Sequence, residues 1–422
     1  MLLPLPKGEG RGEGEETCRG SVHSDPLRPF SNKRLSPGRG IVRAADPALV
    51  SALLKWFREH SRDLPWRRTR DPYGIWVSEI MLQQTQVKTV IPYWERWMRR
   101  LPDLQTLAKA RIQTVLKLWE GLGYYHRARN MHHAAQTIVT QHAGRFPDHF
   151  GEVLALPGIG RYTAGAICSI AFNQPVPVLD GNVIRVLARV FGLSGNPRAP
   201  ATNADLWGLA GELVQMAAKA APNRSRPCSQ LNQALMELGA LVCTPTQPKC
   251  PACPARSVCL AHITGQTESL PNLGDRRSAT TRLFAAFIVE HRGRFLVRQR
   301  PAGVVNALLW EFPNVEITDK RSTTAYFGWE ATGIRLSRLQ PFCVIKHTIT
   351  RYRITLKAYR TRMQRRPIAS DERSRWLTVP ELNRLPFAGA HRKMLIILES
   401  QSPIPAIGAK AQGPKGLRRS RL

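Results

Sequence analysis

From Asp46 onward, apolar residues recur at spacings of three and four, the period of helices buried on one side. Asp46-Pro47 supplies an N-cap followed by a proline at the first helical position, opening a helix with Leu49, Leu53, Trp56 and Phe57 on one face. Further helices are predicted near 74–90, 92–100, 111–119, 126–142, 150–155, 162–172, 182–192, 203–220 and 229–241, with few strand-like runs among them. Past about 282 the period changes to two. Leu283–Val289, Arg294–Arg298, Phe342–Ile345 and Tyr352–Leu356 read as strands, and a closing helix is expected over 388–399 with Met394, Leu395, Ile396 and Leu398. Residues 1–44 and 401–422 carry no period and are expected to be disordered, the latter as a basic tail. The expected organisation is a helical domain over 45–263, a polar linker over 264–281 and an α+β domain over 282–400.

Charge narrows the partners. The chain of 422 residues holds 62 Lys+Arg against 30 Asp+Glu, a formal net charge of +32. A surface this basic attracts polyphosphate through counterion release. Arginine forks, as in Arg67-Arg68-Thr69-Arg70, suit phosphate geometry. No apolar stretch approaches the roughly 20 residues of a membrane-spanning helix, and Met-Leu-Leu-Pro-Leu-Pro at the start is too short and Pro-broken for a signal segment. The expected setting is intracellular and reducing: cytoplasm, or the nucleoid of a bacterium.

Cys243, Cys250, Cys253 and Cys259 lie at intervals of six, two and five residues, among Pro245, Pro248, Pro251 and Pro254. Structural zinc sites usually carry two close pairs on a longer arm, whereas here one close pair has a single cysteine on either side. That pattern favours thiolate ligation of one 4Fe-4S cluster over zinc, and both over disulfides. Cys18, Cys168, Cys228 and Cys343 are scattered, and Cys168 reads as a small core residue.

Three other segments carry candidate chemistry. Leu156-Pro157-Gly158-Ile159-Gly160-Arg161-Tyr162 joins two helices, and its glycines allow a tight hairpin whose amides suit a phosphate; an ordinary turn is the plainer reading. Asp180, in Leu179-Asp180-Gly181-Asn182-Val183, is in the first instance a helix N-cap, a role that also holds a carboxylate rigid. Glu79, among Ile80, Met81, Leu82 and Val87, is either on a solvated face or a desolvated acid with a raised pKa.

Taken in order, the Gly-Ile-Gly hairpin, the Leu-Asp-Gly-Asn-Val segment and the four-cysteine loop resemble the iron–sulfur branch of the helix-hairpin-helix DNA glycosylase superfamily. Leu64-Pro65-Trp66-Arg67, Ser78–Val87 and Gly121-Leu122-Gly123-Tyr124-Tyr125 narrow the resemblance to the MutY-type adenine DNA glycosylase family, over about 46–400. The resemblance implies removal of adenine paired with 8-oxoguanine or guanine in double-stranded DNA, by a protein expected to be monomeric. It implies Glu79 as the general acid at adenine N7 and Asp180 as the anion facing an oxocarbenium-like sugar, with Tyr162 and Asn182 in support. Trp66, Arg67 and Gln233 would line the adenine pocket, while Leu82, Gln84 and Tyr124 would wedge into the duplex. Gly158 and Gly160 would hold backbone phosphate, and the four cysteines a 4Fe-4S cluster. Related endonuclease III enzymes place a strand-cutting lysine after Gly-Ile-Gly-Arg; Tyr162 stands there instead, so little or no lyase activity is expected.

The C-terminal domain resembles the family's Nudix-like module, which reads 8-oxoguanine. Gly328–Gly333 lacks the acidic pairs of Nudix hydrolases, so no pyrophosphatase activity is expected. In His347-Thr348-Ile349-Thr350-Arg351-Tyr352, Thr350 keeps a hydroxyl for the lesion, but Arg351 departs from the histidine common in the family, leaving the degree of 8-oxoguanine preference open. The rivals are a pyrimidine-directed mismatch glycosylase of the same superfamily, which lacks the Glu79 segment and the second domain, and a non-catalytic iron–sulfur DNA-binding protein, which would not need both carboxylates.

Overall fold

The computed structural model describes residues 46–220, 225–274, 278–318, 323–349, 351–364 and 372–401. The expectations for 1–44, for 402–422 and for Thr350 fall outside the described residues. The chain divides into two compact units: one of residues 1–280, 299–310 and 384–386, the other of 281–298, 311–383 and 387–422.

The first unit is helical: α1 (Pro47–His60), α2 (Pro72–Leu82), α3 (Val87–Arg100), α4 (Leu104–Lys109), α5 (Ile112–Leu118), α6 (His126–Gln141), α7 (Phe150–Ala155), α8 (Arg161–Phe172), α9 (Gly181–Val190), α10 (Pro200–Ala220), α11 (Pro227–Leu241) and α12 (Leu260–Ile263). Aspartates cap several of them. Asp46 accepts from the Ala48 amide at 2.8 Å, and Asp71 accepts from Tyr73 and Gly74 at 3.1 and 3.3 Å, each cap stabilising its helix by about 1 kcal/mol. Helices are expected over 74–90 and 92–100, but the break between them lies at 83–86, where Gln84 takes φ 56°, and Pro92 sits inside α3. The apolar period runs through this break and hides it.

Two helix groups form. Helices α2 to α8 pack among themselves, while α1, α9, α10, α11 and α12 build a second core around Leu53, Leu187, Leu213 and Leu238. Helix α8 touches both α2 and α11, and Tyr162 in its first turn reaches Glu79 on the one and Met236 on the other. Within 264–274, Leu270 is buried in the second core rather than lying free.

The second unit holds β1 (Thr280–His291), β2 (Arg294–Gln299), β3 (Trp310–Glu311), β4 (Asn314–Glu316), α13 (Thr324–Thr332), β5 (Gln340–Ile349), β6 (Tyr352–Arg362), β7 (Ser374–Leu377), α14 (Val379–Asn383) and α15 (Gly389–Ser400). One sheet runs β3-β2-β1-β6-β5, with β4 added to β1 and β7 to β2. Strands β5 and β6 form an antiparallel hairpin whose last pair, next to its tip, is Ile349 opposite Tyr352. At that tip the Arg351 guanidinium lies 5.2 Å from the Tyr352 ring centroid and donates to its hydroxyl at 3.1 Å. Strands β3, β4 and β7, of two to four residues, escaped the sequence reading because so short a run shows no period.

Candidate active site and cysteine cavity

Glu79 lies in α2, where every residue from Tyr73 to Met81 is buried. Its Oε2 accepts a hydrogen bond of 2.7 Å from the Tyr162 hydroxyl on α8. Burial raises its pKa to about 7; the Asp180 charge adds to this, while the Tyr162 hydrogen bond and Arg67 oppose it. The Tyr162 phenol is pushed well above 10 by burial and by the two carboxylates, so it stays a neutral donor.

Asp180 caps α9. Its Oδ1 accepts from the Val183 amide at 2.7 Å and its Oδ2 from Asn182 Nδ2 at 2.9 Å. Burial raises its pKa, as it does that of Glu79, against those hydrogen bonds. Asn182 in turn accepts from Arg185, whose guanidinium also donates to the carbonyls of Gly239 and Cys243, at 2.8 and 2.7 Å. A Cβ added to Gly239 would lie 2.6 Å from Asn182 Cβ and 3.0 Å from its backbone, so α11 admits α9 this closely only with glycine there.

Trp66 is buried in a short 3₁₀ turn, Pro65–Arg67, edge-on to Trp94. Arg67 and Arg62 both grip Glu237 of α11, at 2.9 and 2.7 Å. Burial alone would raise the Glu237 pKa, but the two guanidinium partners outweigh it and hold it at about 2. Gln233, one turn before Glu237, donates to Ser229 Oγ at 3.1 Å. Glu237 is a site residue that the sequence alone does not single out. Its signal was a carboxylate inside the apolar run Leu235-Met236-Glu237-Leu238, the same signal that marked Glu79.

In the hairpin, Gly158 takes φ 72°, and its missing Cβ would sit 2.5 Å from Asn130 Cβ. Gly160 caps α8 with no side chain over the first amides. Leu82 ends α2 partly exposed, Gln84 is exposed, and Tyr124, at φ 44°, is 39% exposed.

The four cysteines line one cavity between α9 and the loop after α11, together with Arg189 and His262. All four are free thiols. Burial pushes Cys253 up to about 11, and the neighbouring Cys243, Cys259 and Cys250 add to it, as convergent thiols must. Among the described residues, no three His, Cys, Asp or Glu side chains close on a point suited to a single metal ion. A ring of thiols around a cavity fits a multi-atom thiolate-bound group. Buried Arg189 ties the loop down, donating to Thr244 and Pro245 carbonyls at 2.7 and 2.9 Å and to Cys243 Sγ at 3.4 Å.

The helical hairpin, the acid–tyrosine pair and the capping aspartate define a DNA glycosylase of the helix-hairpin-helix class. Residues 77–212 match the profile of the HhH-GPD superfamily base excision DNA repair proteins, and residues 284–396 match the NUDIX domain. The chain is 35% identical to the adenine DNA glycosylase of Homo sapiens, covering 86% of this chain and 76% of that protein, and 36% identical to that of Rattus norvegicus, covering 85% and 79%. The chain belongs to the adenine DNA glycosylase family. Among solved structures it resembles a thermostable thymine-DNA glycosylase at 30% identity and TM-score 0.45, over 51% of this chain and 95% of that one.

Proposed function

We propose that this enzyme releases adenine mispaired with 8-oxoguanine or guanine in duplex DNA, without cutting the strand. The observation that carries the reading is Glu79: a buried carboxylate with a pKa near 7, held by the neutral Tyr162 hydroxyl beside Asp180. Adenine leaves deoxyribose poorly unless a ring nitrogen is protonated. Glu79 in its acid form gives its proton to N7 as the C1′–N9 bond breaks. Asp180, held by the Val183 amide and Asn182, faces the positive charge that grows on the sugar. Water then adds its oxygen to C1′ and returns a proton to Glu79. Asn182 keeps Asp180 oriented, and Glu237 does the same for Arg67 at the pocket wall with Trp66 and Gln233. An oxygen-linked phenol cannot form an imine, so Tyr162 leaves the product as an intact strand with an abasic site.

Flipping adenine costs a few kcal/mol, offset in part by the segments holding Leu82, Gln84 and Tyr124 against the duplex. The uncapped amides after Gly160 suit a backbone phosphate. The test is single-turnover base release from duplexes with adenine opposite 8-oxoguanine, guanine or thymine, with and without alkali. Release opposite the two guanines, with nicking only after alkali, is expected. Equal release opposite thymine, or alkali-independent nicking, would refute it.

The cysteine loop fits a 4Fe-4S cluster, with Cys243, Cys250, Cys253 and Cys259 as ligands; such a group would staple the loop and its Lys249 and Arg256 near phosphate. Purified protein should be brown, absorb near about 400 nm and carry about four iron atoms per chain. Replacing Cys253 by alanine should bleach it and weaken duplex binding by about tenfold, through loss of the folded loop. Colourless, fully active protein with stoichiometric zinc would decide against iron.

The β5–β6 tip is the proposed reader of the lesion. Thr350→Ala should lower the ratio of excision opposite 8-oxoguanine to that opposite guanine by about fivefold, the worth of one hydrogen bond. Arg351→His should raise it. Ratios unchanged in both variants would place lesion reading elsewhere.

A further inference from the structure

Arg127 stands in the first turn of α6 and is buried. Its two terminal nitrogens serve different segments. Nη1 donates to the carbonyls of Ile80 and Gln83, at 2.7 and 2.6 Å, with Met81 farther at 3.4 Å. Nη2 donates to the carbonyls of Leu122 and Gly123, each at 3.2 Å. The guanidinium also lies 5.2 Å from the Trp119 ring centroid and 5.6 Å from that of Tyr124.

The carbonyls on the first side are those that the end of α2 leaves without amide partners. They follow Glu79 directly and precede Gln84. Those on the second side precede Tyr124. Gln84 and Tyr124 both hold left-handed backbone, at φ 56° and 44°, which L side chains adopt only when their surroundings impose it. One side chain thus fixes both exposed tips and ties them to the helix of the general acid.

We propose that Arg127 is the positioning residue of the duplex wedge: it sets the spacing of Leu82 and Gln84 from Tyr124, and so the extrusion of adenine. This rests on the functional reading above. Only a planar fork can serve two segments from one point; a lysine ammonium is a single donor head on a flexible stem and must leave one side unserved.

The experiment uses the full chain as wild type, Arg127→Lys and Arg127→Met. It measures thermal melting, affinity for a matched duplex, single-turnover adenine release, and unstacking of 2-aminopurine placed at the adenine position. Arg127→Lys should fold and bind the matched duplex within about twofold of wild type, because phosphate contacts are untouched. Its unstacking signal and release rate should both fall by about tenfold or more. Most of the deficit in release should disappear on a duplex whose adenine faces an abasic site, where extrusion costs less. A folded Arg127→Lys with wild-type unstacking overturns the proposal, as does lost release with unstacking intact, which would place Arg127 behind Glu79 rather than behind the wedge. Failure of both variants to fold also overturns it, leaving Arg127 a determinant of folding alone. Wild-type protein that releases no adenine from any duplex refutes the functional reading instead, before either variant is compared.

Discussion

Replacing Glu79 by glutamine should lower adenine release by about 10³-fold or more while leaving duplex affinity within about twofold, because the amide keeps the shape but has no proton to give. Asp180→Asn should cost about 10²- to 10³-fold by the same assay, through loss of the anion facing the sugar. Wild-type-like release by either variant would remove that residue from the mechanism. The wild-type rate should fall about tenfold per unit as pH rises above about 7, where Glu79 loses its proton. Stability should follow the same group. Its folded pKa of about 7 lies above the ordinary 4.5, so the contribution of the protonated form is complete below about 4.5 and is lost as pH rises through 7. Glu79→Gln should therefore be more stable than wild type at pH 8, by up to about 3 kcal/mol, and no more stable at pH 4. Denaturant melts at the two pH values check this; equal gains at both would mean that burial does not strain Glu79.

Gly239→Ala should be nearly as damaging, although the residue touches no substrate. The added methyl would meet Asn182 at 2.6 Å and its backbone at 3.0 Å, so the start of α9 must retreat from α11. That shift would move Asp180 and break the bridge from Asn182 through Arg185 to the Gly239 carbonyl. A displacement of this kind costs about 10²-fold in rate, and overpacking costs about 1–3 kcal/mol of stability. Gly211→Ala is the control, since its Cβ would meet nothing within 4 Å. Similar excision by the two variants would show that the contact yields freely.

Much of this is legible in the sequence, and the site residues that are not share one physical cause. Leu49, Leu53, Trp56 and Phe57 were placed on one helical face by their spacing, and all four are buried. The cysteine intervals pointed to one shared site, and the thiols do line one cavity. The sequence places Glu79 either on a solvated face or among apolar residues as a desolvated acid, and its burial decides for the second. Glu237, Arg127 and Gly239 stayed hidden because each takes its meaning from a partner far along the chain: Arg62 and Arg67, the carbonyls of Ile80 and Gln83, and Asn182. A carboxylate, a guanidinium or a hydrogen in place of a methyl carries no period and no local signature of that partner.

The way the two helix groups divide the chain bears on how the protein is made. Helices α2 to α8 are contiguous in sequence and pack on one another, whereas α1 packs on α10 and α11. On a ribosome, α1 emerges before the helices it packs on and must wait, its apolar face uncovered, until Pro200–Leu241 has been synthesised. The intervening helices can fold meanwhile as a local, low-contact-order unit, and by folding they bring the ends of a very long loop together before it must close. The second core, with the cysteine loop at its far end, is therefore the last part of the helical unit to form. During synthesis, the acid on α2 is in place before the aspartate on α9 has a core to stand on.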